Sequence, residues 1–219
     1  MCEPPLSAKL CRDEHGGAVL WLIGSGASLL EGDELLISVA LRDGARLAVR
    51  SVAAQLVHPC PDGGWGRLHI EAEVDHGASL WWAPEPTIVA GDAGFRADAT
   101  VALAGGASLR WREELVLGRT AEDPASIRLD VATAVDADGS PCWRDGLASH
   151  PGWLGPAVLG PARYLGTELR LGPGCGPLDA APSPGDPRTD GWLALAGGGA
   201  VRRVLDTEPA DGRVRLGCR

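Results

Sequence analysis

The chain has 219 residues, a formal net charge of −9 and a sequence pI near 5.0. That balance disfavours nucleic acid and anionic membrane as partners, because gripping phosphate needs basic surface. Lys9 is the single lysine, which excludes a Gly-Lys-Ser/Thr phosphate loop.

Taken in order, residues 1–16 read as a flexible N-terminal arm, and 17–219 as a single all-β domain. The start Met-Cys-Glu-Pro-Pro is no signal peptide, since no basic residue leads directly into an apolar run. Ala18–Ile23 is an apolar run of strand length. Ala18–Leu30 as a whole is broken by Gly24, Ser25, Gly26 and Ser28 and is too short to cross a bilayer. Leu35, Ile37, Val39 and Leu41 alternate with other residues. The turn Arg42-Asp43-Gly44 follows, and Ala45, Leu47 and Val49 are expected to return. The same alternation recurs at Leu68, Ile70, Ala72 and Val74, and at Ala97, Ala99, Val101 and Leu103, answered by Leu109 and Trp111. Ile127, Leu129, Val131, Thr133 and Val135 precede the turn Asp136–Gly139.

A short phrase punctuates these runs: Gly44-Ala45-Arg46-Leu47, Gly77-Ala78-Ser79-Leu80 and Gly106-Ala107-Ser108-Leu109, spaced 33 and 29 residues apart, with a fainter copy at Gly199-Ala200-Val201. A strand–turn–strand unit at that period predicts stacked β layers, each burying the face its neighbour leaves open. The fold expected is a stacked-strand scaffold, β-helix-like or sandwich-like, with little helix. A Pro/Gly-rich connection at 172–191 interrupts it, with five prolines and no apolar face. Strand character resumes at Trp192 and at Val201–Leu205. Six scattered cysteines without a Cys-x-x-Cys read as free thiols of a reducing compartment, and hence a cytoplasmic protein.

Sites with chemistry are sparse. His58-Pro59-Cys60 sets an imidazole and a thiol two residues apart, a weak metal candidate without further close ligands. His69 shares a strand face with Glu71, Glu73 and Asp75. That face reads either as a metal or acid–base patch or as the solvated side of a half-buried strand, and the alternation favours the second. No Gly-x-Ser-x-Gly and no His-Glu-x-x-His occur. Trp81-Trp82 offers a sugar-stacking platform on one ring only, since neighbours in a strand point to opposite faces. With the Glu71/Glu73 pair and eight tryptophans it supports an alternative reading as a carbohydrate-binding or carbohydrate-active β protein. Glu113-Glu114-Leu115-Val116-Leu117-Gly118-Arg119 reads either as a strand whose partly buried charged ends fix a loop or line an interior path, or as an edge strand with ordinary solvated ends. Six residues of strand span about 20 Å, so Glu113 and Arg119 need separate partners.

Several of these segments resemble, in order, the UreD (UreH) family of urease accessory proteins. Gly32-Asp33-Glu34-Leu35 resembles its Gly-Gly-Asp-x-Leu segment, with Glu31 in place of the first glycine. Gly77–Ile88 is similar to its Gly-Ala-x-Leu-x-x-x-Pro-Gln-x-x-Ile. Glu113 with Leu117-Gly118-Arg119 is similar to its acidic-x-x-x-Leu-Gly-Arg signature. Arg144-Asp145-Gly146-Leu147 and Leu165-Gly166-Thr167 follow as weaker markers. The family's Gly-Glu after Gly-Arg is not intact, with Glu122 as its stand-in, and the C-terminal helical segment is expected to be lost into the Pro/Gly-rich stretch.

The resemblance implies a non-catalytic scaffold that binds apo-urease and UreF, which recruits the GTPase UreG. It implies nickel passing in transit through an interior path, with no cofactor held tightly. Asp33, Glu113, Arg119, Arg144 and Asp145, which lie in matched motifs, are then the structural or conduit candidates. Arg119 is expected to be buried and paired with Asp33 or Asp145.

Overall fold

A computed structural model describes residues 4–12, 17–26, 29–173, 191–196 and 198–217. Its elements follow the period-two runs. The chain opens with β1 (Leu6–Arg12) and β2 (Ala18–Gly24). Three coils follow: β3 (Glu34–Leu41), β4 (Arg46–Ser51) and β5 (Gln55–Val57); β6 (Gly66–Val74), β7 (Ser79–Trp82) and β8 (Thr87–Val89); then β9 (Gly94–Leu103) and β10 (Ser108–Leu117). It closes with β11 (Arg128–Ala137), β12 (Ser140–Ala148), β13 (Tyr164–Leu171), β14 (Trp192–Ala194), β15 (Ala200–Asp206) and a helix, α1 (Pro209–Leu216).

Each coil gives its first strand to one sheet and its second to another. The smaller sheet runs β12-β11-β9-β6-β3, and the larger β1-β2-β4-β7-β10-β13-β15-β14, with β5 and β8 attached beside β10. Strands of successive coils pair in parallel, so one interior position stacks on the same position of the next coil. Ile37 lies opposite Ile70, Ile70 opposite Ala99 and Ala99 opposite Thr133; Val39, Ala72, Val101 and Val135 form the adjacent ladder. In the larger sheet Val49, Trp82, Trp111, Leu169 and Val201 line up. The Trp82 and Trp111 rings stack at 5.0 Å and 12°. The two sheets bury these ladders against each other in one continuous apolar core.

The recurring phrase is the corner that carries the chain from one sheet to the other. Ala45 N–H donates to the Arg42 carbonyl at 2.9 Å, and Ala78 and Ala107 repeat the bond to Asp75 and Ala104. The third residue of each turn is Gly44, Gly77 or Gly106, at φ +68°, +65° and +75°. A type II turn demands positive φ at that place, which glycine alone adopts without a Cβ clash. The expected return strand is therefore not a hairpin partner: Leu47 pairs with Leu80 of the next coil rather than with the strand it left. The fainter fourth copy is different again. Gly199 lies at the tight antiparallel turn between β14 and β15. Three of the four residues that separate the 33- and 29-residue spacings lie in the connection between β5 and β6, from Val57 opposite Val89 to Gly66 opposite Phe95; the fourth lies between β4 and β5, from Val49 opposite Trp82 to Gln55 opposite Thr87.

Two expectations are corrected. The N-terminal arm contains β1, paired along its full length with β2, from Leu6 opposite Gly24 to Arg12 opposite Ala18. Its own alternation is weak; a neighbouring strand edge with unpaired N–H and C=O groups organises it. A C-terminal helix is also present. Pro209 stands in its first turn, and Gly217 at φ +88° caps it, donating to the Arg213 and Val214 carbonyls. Only Gly212 and Leu216 are buried in its eight residues, too few to write a 3.6-residue period. It packs on the outer face of the larger sheet, where Leu216 joins Tyr164 and Val204. The Pro/Gly-rich stretch falls, at 174–190, outside the described residues.

That outer face holds a buried ion cluster. Glu168, 1% exposed, accepts from Arg110 Nε at 2.8 Å, Arg112 at 2.7 Å and Arg170 Nε at 2.8 Å. Burial alone would push this carboxyl up; the guanidinia of Arg110 and Arg112 outweigh it and hold it at about 2. A depressed acid stabilises the fold above its ordinary value of 4.5, and that stabilisation is lost as pH falls toward about 2.

Two outcomes follow from this architecture. Gly77 has open space where a Cβ would sit, so Gly77→Ala meets only the left-handed backbone penalty. Urea unfolding should show a loss of about 1 kcal/mol. Glu168→Gln strands the guanidinia and should cost on the order of 3 kcal/mol at neutral pH. It should also reduce the slope of stability against pH between 4.5 and about 2, measured by urea melts across that range.

Candidate functional site

Between the sheets lie two cavities. The larger, about 370 Å³, is lined by interior ladder residues such as Leu35, Ile70, Ala99 and Leu115 and by the segment between β4 and β5. The smaller, about 170 Å³, lies toward β12 and β15 and is lined by Asp145, Thr167 and Arg203 among others. Glu113, Leu115, Val131, Ala132 and Thr133 line both. The site is therefore the group of residues that borders both cavities.

The sheets explain why polar groups sit there. Thr133 ends the ladder Ile37–Ile70–Ala99 at the last parallel strand. Glu113 faces it from β10, and the Thr133 hydroxyl donates to both of its carboxylate oxygens at 2.9 Å. Burial pushes the Glu113 carboxyl up, and neighbouring Asp145 adds to that. Trp111, Thr133 and Arg203 act the other way. The Trp111 indole makes no hydrogen bond of normal geometry, so its pull is a weak one. Asp145, opposite Thr133 on β12, is ion-paired with Arg203 of β15, whose Nε donates to Thr167 Oγ1 at 3.3 Å. A carboxyl driven toward its neutral form thus borders a carboxylate already neutralised by a guanidinium.

Glu113 and Asp145 are the two sequence candidates that the structure brings together. Glu114 points the opposite way, accepting from the Tyr164 hydroxyl at 2.9 Å and from Arg213 of α1 at 3.0 Å. Arg119 is exposed, with 51% of its side chain accessible, and pairs with Glu122 at 2.5 Å. The expected partners are elsewhere: Asp33 accepts from Leu30 N–H within its own turn, and Asp145 holds Arg203. The reason is local. Gly118, at φ +77°, turns the chain out of the sheet before Arg119. Glu122 bonds both the Arg119 and Gly91 N–H groups and is held at about 2, chiefly by the Arg119 side chain. Arg144 lies on the outer side of β12, where it donates to the Val135 carbonyl and pairs with Asp136 at the irregularity in β11.

The imidazole and thiol candidates stand apart. Cys60 is buried and its Sγ accepts from Gly94 N–H at 3.4 Å. His58 lines the larger cavity. His69 lies on the outer face of the smaller sheet, between Glu34 at 3.8 Å and Asp98 at 3.5 Å. Among the described residues no three His, Cys, Asp or Glu side chains gather at metal-binding spacing. Cys11, Cys60 and Cys142 are free thiols. No described helix is long and apolar enough to cross a membrane.

The sugar-stacking platform is taken up by the protein itself. Trp82 is in the core, and the Trp81 ring carries Arg50 at 3.6 Å and Arg110 at 4.5 Å. Sequence reasoning missed Thr133, Arg203 and Glu168 as site or support residues. Thr133 is visible as the one polar residue in an interior run, and Glu168 as the one carboxylate of β13.

Comparison with known proteins places these features in a family. The model of the UreD urease accessory protein family matches residues 3–216. The urease accessory protein UreD of Frankia alni is 38% identical over 215 residues, covering 89% of this chain and 70% of its own. That of Frankia casuarinae is 37% identical over 214 residues, covering 93% and 64%, and that of Streptomyces coelicolor 36% over 176 residues, covering 78% and 68%. The chain spans about two thirds of the length of these relatives. With its coiled two-sheet scaffold and ordered motifs, the chain belongs to the UreD family of urease accessory proteins.

Proposed function

We propose that this protein is a non-catalytic cytoplasmic scaffold that assembles with apo-urease, UreF and UreG, and that nickel crosses it between the two sheets on the way to the urease active site. The observation that carries the reading is the pair of cavities that both border Glu113 and Thr133. A divalent ion in transit needs oxygen donors that replace part of its hydration shell and then let go. A close cluster of thiolate and imidazole ligands would trap it. Glu113 suits passage: burial raises its pKa, so an arriving cation competes with a proton for the carboxylate, the displaced proton leaves to water, and a proton returns from water when the cation departs. Asp145 and Thr167 supply further oxygens in the smaller cavity.

Glu113→Gln separates this role from a structural one. An acid whose folded value is raised above 4.5 costs stability as pH rises past that point, so glutamine removes a cost. The variant should melt at or above the wild-type temperature at neutral pH and still co-purify with UreF and urease. Urease activity in cells co-expressing all the accessory proteins should fall about tenfold or more, equivalent to a barrier of at least ~1.4 kcal/mol. Full activation by a folded Glu113→Gln protein would overturn the path, and failure of the wild type to co-purify with the partners would overturn the scaffold.

A further inference from the structure

The outer face of the larger sheet carries a band of alternating cations and indoles. In register across the strands, Lys9 lies opposite Trp21, Trp21 opposite Arg50, and Arg110 opposite both Trp81 and Arg170. Arg50 and Arg110 cover the two sides of the Trp81 indole, and Arg170 lies 4.4 Å from the Trp192 ring centroid. Eight strands at the usual spacing make this band roughly 30 Å long. Among the described strand residues of the face, Glu168 is the central carboxylate; Glu114 and Asp206 lie toward the end covered by α1. Glu168 is buried beneath the arginines and presents no anionic surface.

This concentration is out of keeping with a chain of net charge −9. Stacking on indole fixes each guanidinium plane and spends its rotamer entropy in advance, so an incoming carboxylate meets cations already held in place, Arg110 and Arg170 by Glu168 and Arg50 by the Ala83 carbonyl. Trp21, 36% exposed at the same level, adds an apolar anchor. We propose that this band is a docking surface for an acidic polypeptide segment of a partner protein, laid across the strands with its carboxylates on the stacked arginines. Charge complementarity selects that occupant. Cations gathered on one face leave the remaining surface strongly acidic. A long polyanion such as nucleic acid would meet that surface on either side of the band, whereas a short acidic segment fits within it.

The test uses the full chain and a fluorescein-labelled oligoglutamate peptide, followed by fluorescence anisotropy. Binding should be present at low salt and fade as salt rises. Arg50→Gln and Arg170→Gln should each weaken it about tenfold, with circular dichroism unchanged. Arg67→Gln, on the outer face of the other sheet, should leave it as it is. Arg50→Gln serves if Arg170→Gln fails to fold, because Arg170 also braces Glu168. Absence of peptide binding at low salt, or equal loss in Arg67→Gln, would overturn the proposal. So would tighter binding of single-stranded DNA of matched charge, which would make the face a nucleic-acid site. Self-association in sedimentation that Arg50→Gln abolishes would make the occupant a second copy and would overturn it too.

Discussion

Everything in this molecule depends on parallel stacking in register. When successive coils pair strand on strand, an interior position cannot be chosen alone; it must fit the residue above and the residue below. Ile37, Ile70 and Ala99 obey that condition, and so do Val39, Ala72, Val101 and Val135. A polar side chain inside such a ladder would break it for every coil. It is tolerated at the end, where parallel pairing gives way to the β11–β12 hairpin. Thr133 occupies that end, and Glu113 and Asp145 gather around it. The place where the candidate path can exist is thus set by where the ladder stops.

Much of this was legible before the coordinates. Period-two alternation located β3, β6, β9 and β11, and the repeated glycine–alanine phrase marked the corners, because a type II turn admits little else. What the phrase did not tell was direction. A turn between two alternating strands reads equally as a hairpin or as a corner, and only the pairing of Leu47 with Leu80 distinguishes them. β1 was missed because an edge strand is organised by its neighbour, and α1 because eight residues with two buried positions carry no period. Of the candidate residues, Glu113 and Asp145 were found through matched motifs. Arg119 was misplaced, since the bend at Gly118 that takes it out of the sheet is a three-dimensional fact. Glu168 owes its role to arginines of a neighbouring strand of the larger sheet, and Arg203 to Asp145 across in the smaller sheet.

The two faces of the larger sheet divide the work. Its inner face is largely apolar and builds the core, with Glu113, Thr167 and Arg203 admitted at the smaller cavity. Its outer face carries charge, organised around Glu168 and closed at one end by α1 through Tyr164, Glu114 and Arg213. The residue in place of a family glycine has also been put to use. Glu31 accepts from the Asp62 and Gly64 N–H groups and so pins the long connection of the next coil.

That long connection shows where the scaffold is elastic in evolution. The connection between β5 and β6 absorbs three residues more than its counterpart between β8 and β9, while the ladders on either side keep their register. Length at this corner is therefore decoupled from the core. The glycine corner opposite has no such freedom, since its turn is four residues in all three coils. One rim of the coil repeats a turn of fixed length and the other differs in length from coil to coil. A lineage could lengthen the second rim to meet a differently shaped partner without redesigning anything that holds the protein together.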